Sequence, residues 1–155
     1  MKLKTYVYSV LIPLLVGGLA AFLTAGNMMI CEDVVTPELS PPAFIFPIVW
    51  TILYIFMGIG AAKVCLSGNG MGKKTADAVK IYALQLAINF LWSIIFFNMR
   101  AFLAAFVVLV ILWVLIVIML IRFYRVDPIA AIINIPYLLW VTFAGYLNWM
   151  IYVLN

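Results

Sequence analysis

Three stretches of this chain place polar or aromatic side chains at helical spacing within otherwise apolar sequence. Gln85, Asn89 and Ser93 follow at i, i+4 and i+8, with Trp92 and Phe96 beside them. Asn134, Leu138, Val141, Gly145 and Asn148 form a second line, with Tyr137, Trp140 and Ala144 on the adjoining face. Trp50, Tyr54, Met57 and Ala61 make a third. Residues three and four apart share a helix face, so each line is a stripe that a neighbouring element can meet. Such side chains have two uses. They hydrogen-bond between helices, at about 0.6 kcal/mol per bond on average, or they line an apolar pocket whose few polar groups orient a ligand. Interhelical bonding accounts for Gln85 and Asn89 taken alone. Trp50 and Trp140 come from different stretches, each near a proline, and suit an aromatic pocket for a flat, largely apolar ligand.

Little other chemistry is available. The chain has no histidine, which disfavours metal catalysis and His-ligated haem. Neither a Walker loop, a dinucleotide fingerprint nor a Ser/His/Asp set is present. No Asp, Glu, Lys or Arg falls centrally in any long apolar stretch, so a proton relay or ion-coupled pump lacks its usual signature. No metal and no cofactor is expected. The net charge of +4 forms no basic stripe with interleaved aromatics, and nucleic acid is not an expected partner.

The elements that must hold these stripes follow from composition. The chain is 69% hydrophobic and 9% charged, with mean hydropathy +1.27. Soluble domains are roughly 45–50% apolar and about 25% charged, and a domain this small could not bury the excess. The expectation is an all-α membrane protein, a five-transmembrane-helix bundle forming one domain over residues 1–155. The spans are placed at about 5–25, 43–62, 78–98, 101–121 and 129–154, each near the ~20 residues that cross a bilayer. The third has its apolar core at Ile81–Phe97. A cleaved leader competes for the first span, because Lys2 and Lys4 precede it, but the apolar stretch is too long for a typical leader.

Basic residues set the orientation. Lys2, Lys4, Lys63, Lys73, Lys74, Lys80, Arg122 and Arg125 are eight of the nine Lys and Arg residues, and all fall on one side if the spans alternate. The prediction is a cell-membrane protein with its N-terminus cytoplasmic and its C-terminus outside. Cys31 and Cys65 then lie on opposite sides and cannot reach disulfide distance.

The remaining features are structural. Gly17, Ala21 and Ala25 form a small-residue ridge on the first span, read as a packing surface. Nothing polar interrupts the core of the fourth span, which is expected to face lipid or a second subunit, with Trp113 in that contact. Trp149 and Tyr152 fit an interfacial belt. Pro136 sits inside the fifth span, where it would leave the Ile132 carbonyl short of a partner. The 27–42 loop carries Glu32, Asp33 and Glu38, is stiffened by Pro37, Pro41 and Pro42, and is positioned to cover one end of the bundle. The Ser67–Gly72 segment reads as a flexible Gly-rich loop.

These residues together resemble the TspO/translocator proteins, also called tryptophan-rich sensory proteins or peripheral-type benzodiazepine receptors, in a bacterial-type form. The likeness is carried by Ser40-Pro41-Pro42 leading to Val49-Trp50-Thr51-Ile52-Leu53-Tyr54 and Met57-Gly58-Ile59. It continues through Gln85-Leu86, Asn89, Trp92-Ser93 and Phe96-Phe97, then Pro136-Tyr137-Leu138-Leu139-Trp140, Phe143-Ala144 and Tyr146-Leu147-Asn148. The resemblance implies a homodimeric five-helix bundle with a pocket capped by the first loop. It implies that Trp50, Tyr54, Asn89, Trp92, Phe96, Trp140 and Ala144 line that pocket. The implied ligands are porphyrins such as protoporphyrin IX, possible haem binding included, and isoquinoline or benzodiazepine-type compounds. The implied role is a receptor or sensor coupled to tetrapyrrole transport. Light-dependent porphyrin degradation involving Trp50 and Trp140, and passive transport of small hydrophobic compounds, stand as alternatives. The family's animal sterol motif needs a basic residue after a tyrosine near the end of the fifth span. None follows Tyr137, Tyr146 or Tyr152, so a porphyrin is a better candidate than a sterol, and the absence of histidine favours the metal-free ring.

Overall fold

Backbone amides in lipid have no water to bond, so an apolar chain must satisfy them locally, and a helix does so. The computed structural model describes residues 2–27, 33–67 and 72–155, and in it every long apolar stretch is helical. Helix α1 (Lys2–Thr24) ends in a short 3-10 turn, Ala25–Asn27. Helix α2 is Ile45–Leu66. Helix α3 (Lys73–Ser93) widens into a π turn at Ile94–Asn98. Helix α4 is Phe102–Val126. The fifth span comprises α5 (Pro128–Ile132) and α6 (Ile135–Leu154). Among the described residues, five segments are long and apolar enough to cross a membrane. The molecule is an integral membrane protein of the expected class. Cys31 and Glu32, and most of the Gly-rich segment after Ser67, lie outside the described residues.

Several helices outrun the stretches read from hydropathy, chiefly toward the basic end of the bundle. Hydropathy marks what dissolves in lipid, whereas a helix continues until its backbone is broken. Thus α4 ends only at Asp127-Pro128, where the Asp127 carboxylate accepts from the Ile129 and Ala130 amides and caps α5. Charges on these overhangs pair loosely, Arg122 with Asp77 at 3.7 Å and Lys63 with Asp127 at 3.9 Å.

The fifth span departs from expectation. Pro136 does not interrupt a continuous helix; it sits in the first turn of α6, after a break at 133–134. Its missing N–H costs little there, because first-turn donors lack helical partners anyway. Asn134 fills the break, donating through Nδ2 to the carbonyls of Ala130 at 2.9 Å and Phe56 at 3.4 Å. Gly60 of α2 makes room for that amide, since a Cβ there would collide with it.

Packing follows the small residues. Helix α1 lies along α2 at the site of Gly58, where an added Cβ would strike the backbone of Ser9 and Val10. Helix α4 buries Ala105, Leu109, Leu112, Ile116, Met119 and Phe123 at helical spacing, against α3 and α6. Its opposite face, including Val107, Val110, Ile111 and Val114, is exposed. Trp113 is 40% exposed, yet its indole N–H donates to Thr142 at 2.9 Å, joining α4 to α6. Helix α2 meets the fifth span chiefly at α5, and α6 stands away from α2 along most of its length.

Gly58→Val should therefore destabilise the bundle by about 1–3 kcal/mol through overpacking. Thermal unfolding in detergent checks this. Gly72→Ala, where a Cβ meets nothing within 4 Å, should leave the transition almost unmoved.

Candidate functional site

The halves of α1, α2, α3 and α6 that lie at the 33–44 loop end enclose a cavity of about 540 Å³. Its aromatic side comes from Trp50 and Tyr54 on α2 and from Trp92, Phe96 and Phe97 at the end of α3. These rings form a continuous series. Trp50 lies 5.7 Å from Tyr54 and 6.3 Å from Trp92, and Trp92 stacks on Phe96 at 5.2 Å, centroid to centroid. Ala144, Leu147, Asn148 and Ile151 of α6 complete the far wall.

A buried polar cluster fixes the floor. The Tyr54 hydroxyl donates to Asn89 Oδ1 at 3.1 Å, and Asn89 Nδ2 donates to the Tyr137 hydroxyl at 2.8 Å. Tyr137 then donates to Gln85 Oε1 at 2.7 Å, while Gln85 Nε2 points at the Met57 sulfur, 3.8 Å away. All of these side chains are buried, and the bonds tie α2, α3 and α6 together. Beside the cluster, the Trp92 N–H donates to Asn148 Oδ1 at 3.0 Å, and Asn148 Nδ2 donates to the Phe102 carbonyl at 2.9 Å. The orientation of the Trp92 ring is therefore set by hydrogen bonds as well as by packing.

Residues 33–44 cover the end of the cavity, with Ser40, Ala43 and Phe44 facing into it. They are pinned twice. Asp33 pairs with Arg100 at 2.8 Å. Asn155 clasps the Val35 backbone, accepting from its N–H at 3.0 Å and donating to its carbonyl at 2.9 Å. Arg100 occupies the left-handed region, φ 48°, in the tight turn between α3 and α4, a conformation rare outside glycine, Asn and Asp.

Five of the seven residues expected in the pocket line this cavity: Trp50, Tyr54, Trp92, Phe96 and Ala144. The other two stand elsewhere. Asn89 lies one layer beneath, behind Tyr54, with its amide oxygen and nitrogen both engaged. Trp140 packs edge-on against Phe46 at 5.7 Å and against Phe143 at 5.6 Å, and its buried N–H has no partner among the described residues. The stripe reading missed α1. Leu14, Gly17, Gly18, Ala20, Ala21 and Thr24 form the near wall, so Gly17 and Ala21 of the small-residue ridge border the cavity. The available signal is the adjoining face of the same helix, where Leu15, Leu19 and Phe22 are exposed. Bulk faces lipid, and smallness faces the void.

The wall offers stacking and shape, with little polarity. The Thr24 and Thr51 hydroxyls turn back to their own helix, onto the carbonyls of Ala20 and Pro47, each at 2.7 Å. Among the described residues no three His, Cys, Asp or Glu side chains gather as a metal site. The arrangement suits a flat apolar molecule held against rings.

The sequence model of the TspO/MBR family matches residues 9–154. The tryptophan-rich protein TspO of Chlorobaculum tepidum is 45% identical over 78% of this chain and 76% of its own. The TspO protein of Archaeoglobus fulgidus is 32% identical over 100% of this chain and 99% of its own. The human translocator protein is 33% identical over 75% of this chain and 69% of its own.

The buried cluster yields a prediction. Tyr137→Phe leaves Gln85 Oε1 and Asn89 Nδ2 unpaired in an apolar interior and should cost about 1–3 kcal/mol. Tyr82→Phe removes a buried hydroxyl that has no partner among the described residues and should be neutral or stabilising. Thermal unfolding of both variants in one detergent makes the comparison.

Proposed function

We propose a ligand-binding role for this chain, which belongs to the TspO/MBR family: it is a membrane receptor or sensor that holds a porphyrin against the aromatic face of its cavity. The observation that carries the reading is the ring series Trp50, Tyr54, Trp92 and Phe96 lining about 540 Å³ of apolar space. That volume falls within the ~300–1,000 Å³ of small-molecule sites. Relatives named tryptophan-rich sensory protein, in Cereibacter sphaeroides, and translocator protein, in Bos taurus, support a sensing or translocating role. Protoporphyrin IX is the favoured ligand, and isoquinoline or benzodiazepine-type compounds are smaller flat molecules for the same wall. Without histidine in the chain, haem would gain nothing over the metal-free ring from an imidazole ligand. The N-terminus is assigned to the cytoplasm, with Arg122, Arg125 and the lysines around the α2–α3 connection on that side.

Protoporphyrin IX added to the purified protein should quench tryptophan fluorescence saturably. Trp50→Ala should weaken binding about tenfold, since one stacked ring is worth about 0.5–1.5 kcal/mol beyond its buried area. Trp140→Ala, which acts through Phe46, should weaken it less. Unaltered quenching in both variants would place the ligand elsewhere. Reactivity of a cysteine introduced near Lys2 with an impermeant reagent in right-side-out vesicles would contradict the orientation.

A further inference from the structure

We infer that ligand reaches the cavity sideways from the bilayer, through a mouth between α1 and α2 that Gly18 keeps clear. The inference rests on the reading of this cavity as the ligand site. The openings of a cavity are marked by lining residues that are also exposed, and here these are Gly18 and Ala21 on α1, Ala43 and Phe44 just before α2, and Pro47 and Thr51 on α2. Every lining residue of α3, its π turn and α6 is buried or half-buried. The cavity is therefore closed toward α3 and α6 and open toward α1 and α2.

Among the described residues the other routes are blocked. Where α2 and α6 stand apart, Phe46 meets Trp140 edge-on at 5.7 Å, and Trp140 is backed by Phe143. The end facing water is covered by residues 33–44, held by the Asp33–Arg100 pair and the Asn155 clasp. The mouth itself lies along two membrane-spanning helices, flanked by the exposed apolar side chains Leu15, Leu19 and Phe22 on α1 and Ile48 and Ile52 on α2. Its one hydroxyl, on Thr51, is engaged by the Pro47 carbonyl. An apolar molecule dissolved among acyl chains meets no polar barrier there.

Gly18 has no other explanation in the fold. Glycine weakens a helix interior, so its presence asks for a reason. Its neighbour Gly17 has one, because a Cβ at 17 would collide with the Tyr54 ring. At Gly18 a Cβ would meet nothing within 4 Å. Packing would tolerate a side chain there; an open mouth would not.

The test uses the full chain in phosphatidylcholine vesicles with protoporphyrin IX in the bilayer, following tryptophan quenching by stopped flow. Gly18→Leu, and independently Ala21→Leu, should slow both association and dissociation about tenfold. Arg100→Ala, which frees the covering segment, should leave both rates unchanged. Wild-type rates in both leucine variants overturn the inference. So does acceleration by Arg100→Ala, which would place access beneath the covering segment. Faster dissociation from a folded leucine variant also overturns it, since bulk at 18 or 21 would then crowd the bound ligand without hindering its passage. Absence of quenching in the wild type would instead remove the binding reading beneath it, a failure distinct from any of these.

Discussion

In the apolar slab of a bilayer an unpaired polar group finds no water, and the whole bundle is arranged around that constraint. It is most visible at Tyr137, whose fully buried hydroxyl accepts from Asn89 and donates to Gln85. Tyr54 takes the remaining face of Asn89. Four side chains from α2, α3 and α6 thus satisfy one another, and the bonds run between helices. Individually such bonds are worth little in a membrane. Leaving one partner out is expensive, however, and so the cluster fixes where the three helices stand at that level.

Helices fixed at one level are free to diverge above it. Below the cluster, α2 is closed against α5 by Asn134, which bonds the Phe56 carbonyl across a gap that Gly60 narrows. Toward the 33–44 loop, the space that α1, α2, α3 and α6 enclose is the cavity. Rings line it because a rigid aromatic covers wide apolar area with few torsions to freeze. On the opposite side α1 supplies glycine and alanine, which would otherwise fill the space with their side chains had they been larger. Void and cluster are two consequences of one geometry.

The five spans were legible because crossing a bilayer demands a long apolar helix, a requirement on composition and not on tertiary contact. Tyr54, Trp92 and Ala144 could be placed on inward faces because 3.6-residue periodicity names faces. Periodicity does not say how deep a residue lies within a face. Asn89 and Tyr54 belong to facing stripes, yet only the tyrosine reaches the cavity, because the amide is spent behind it. Nor does it distinguish a glycine that lets helices touch from one that keeps them open. Gly58 and Gly18 look alike in sequence; only the atoms beside each decide the matter. The break before Pro136 was hidden for a related reason. A proline is equally compatible with a kink and with a fresh start, and Asn134 selects the start by bonding back to Ala130.

The five tryptophans show how far residue type alone can carry a functional argument. Trp113 and Trp149 line a shallow groove between α4 and α6 on the outer surface, where Thr142 serves the Trp113 N–H. Trp140 stands at the seam between α2 and α6, where its edge contact decides the position of Phe46, itself a wall residue. Only Trp50 and Trp92 line the cavity, and they differ. The N–H of Trp92 is held by Asn148, whose other end is held by the Phe102 carbonyl, so that ring is a fixed surface. Trp50 is half-buried and positioned by ring contacts with Tyr54, Trp92 and Tyr137. A planar guest would therefore stack against one ring anchored by hydrogen bonds and one held by packing, and the second is the better placed to adjust. An indole inventory cannot separate these roles; the partner of each N–H, or the lack of one, does.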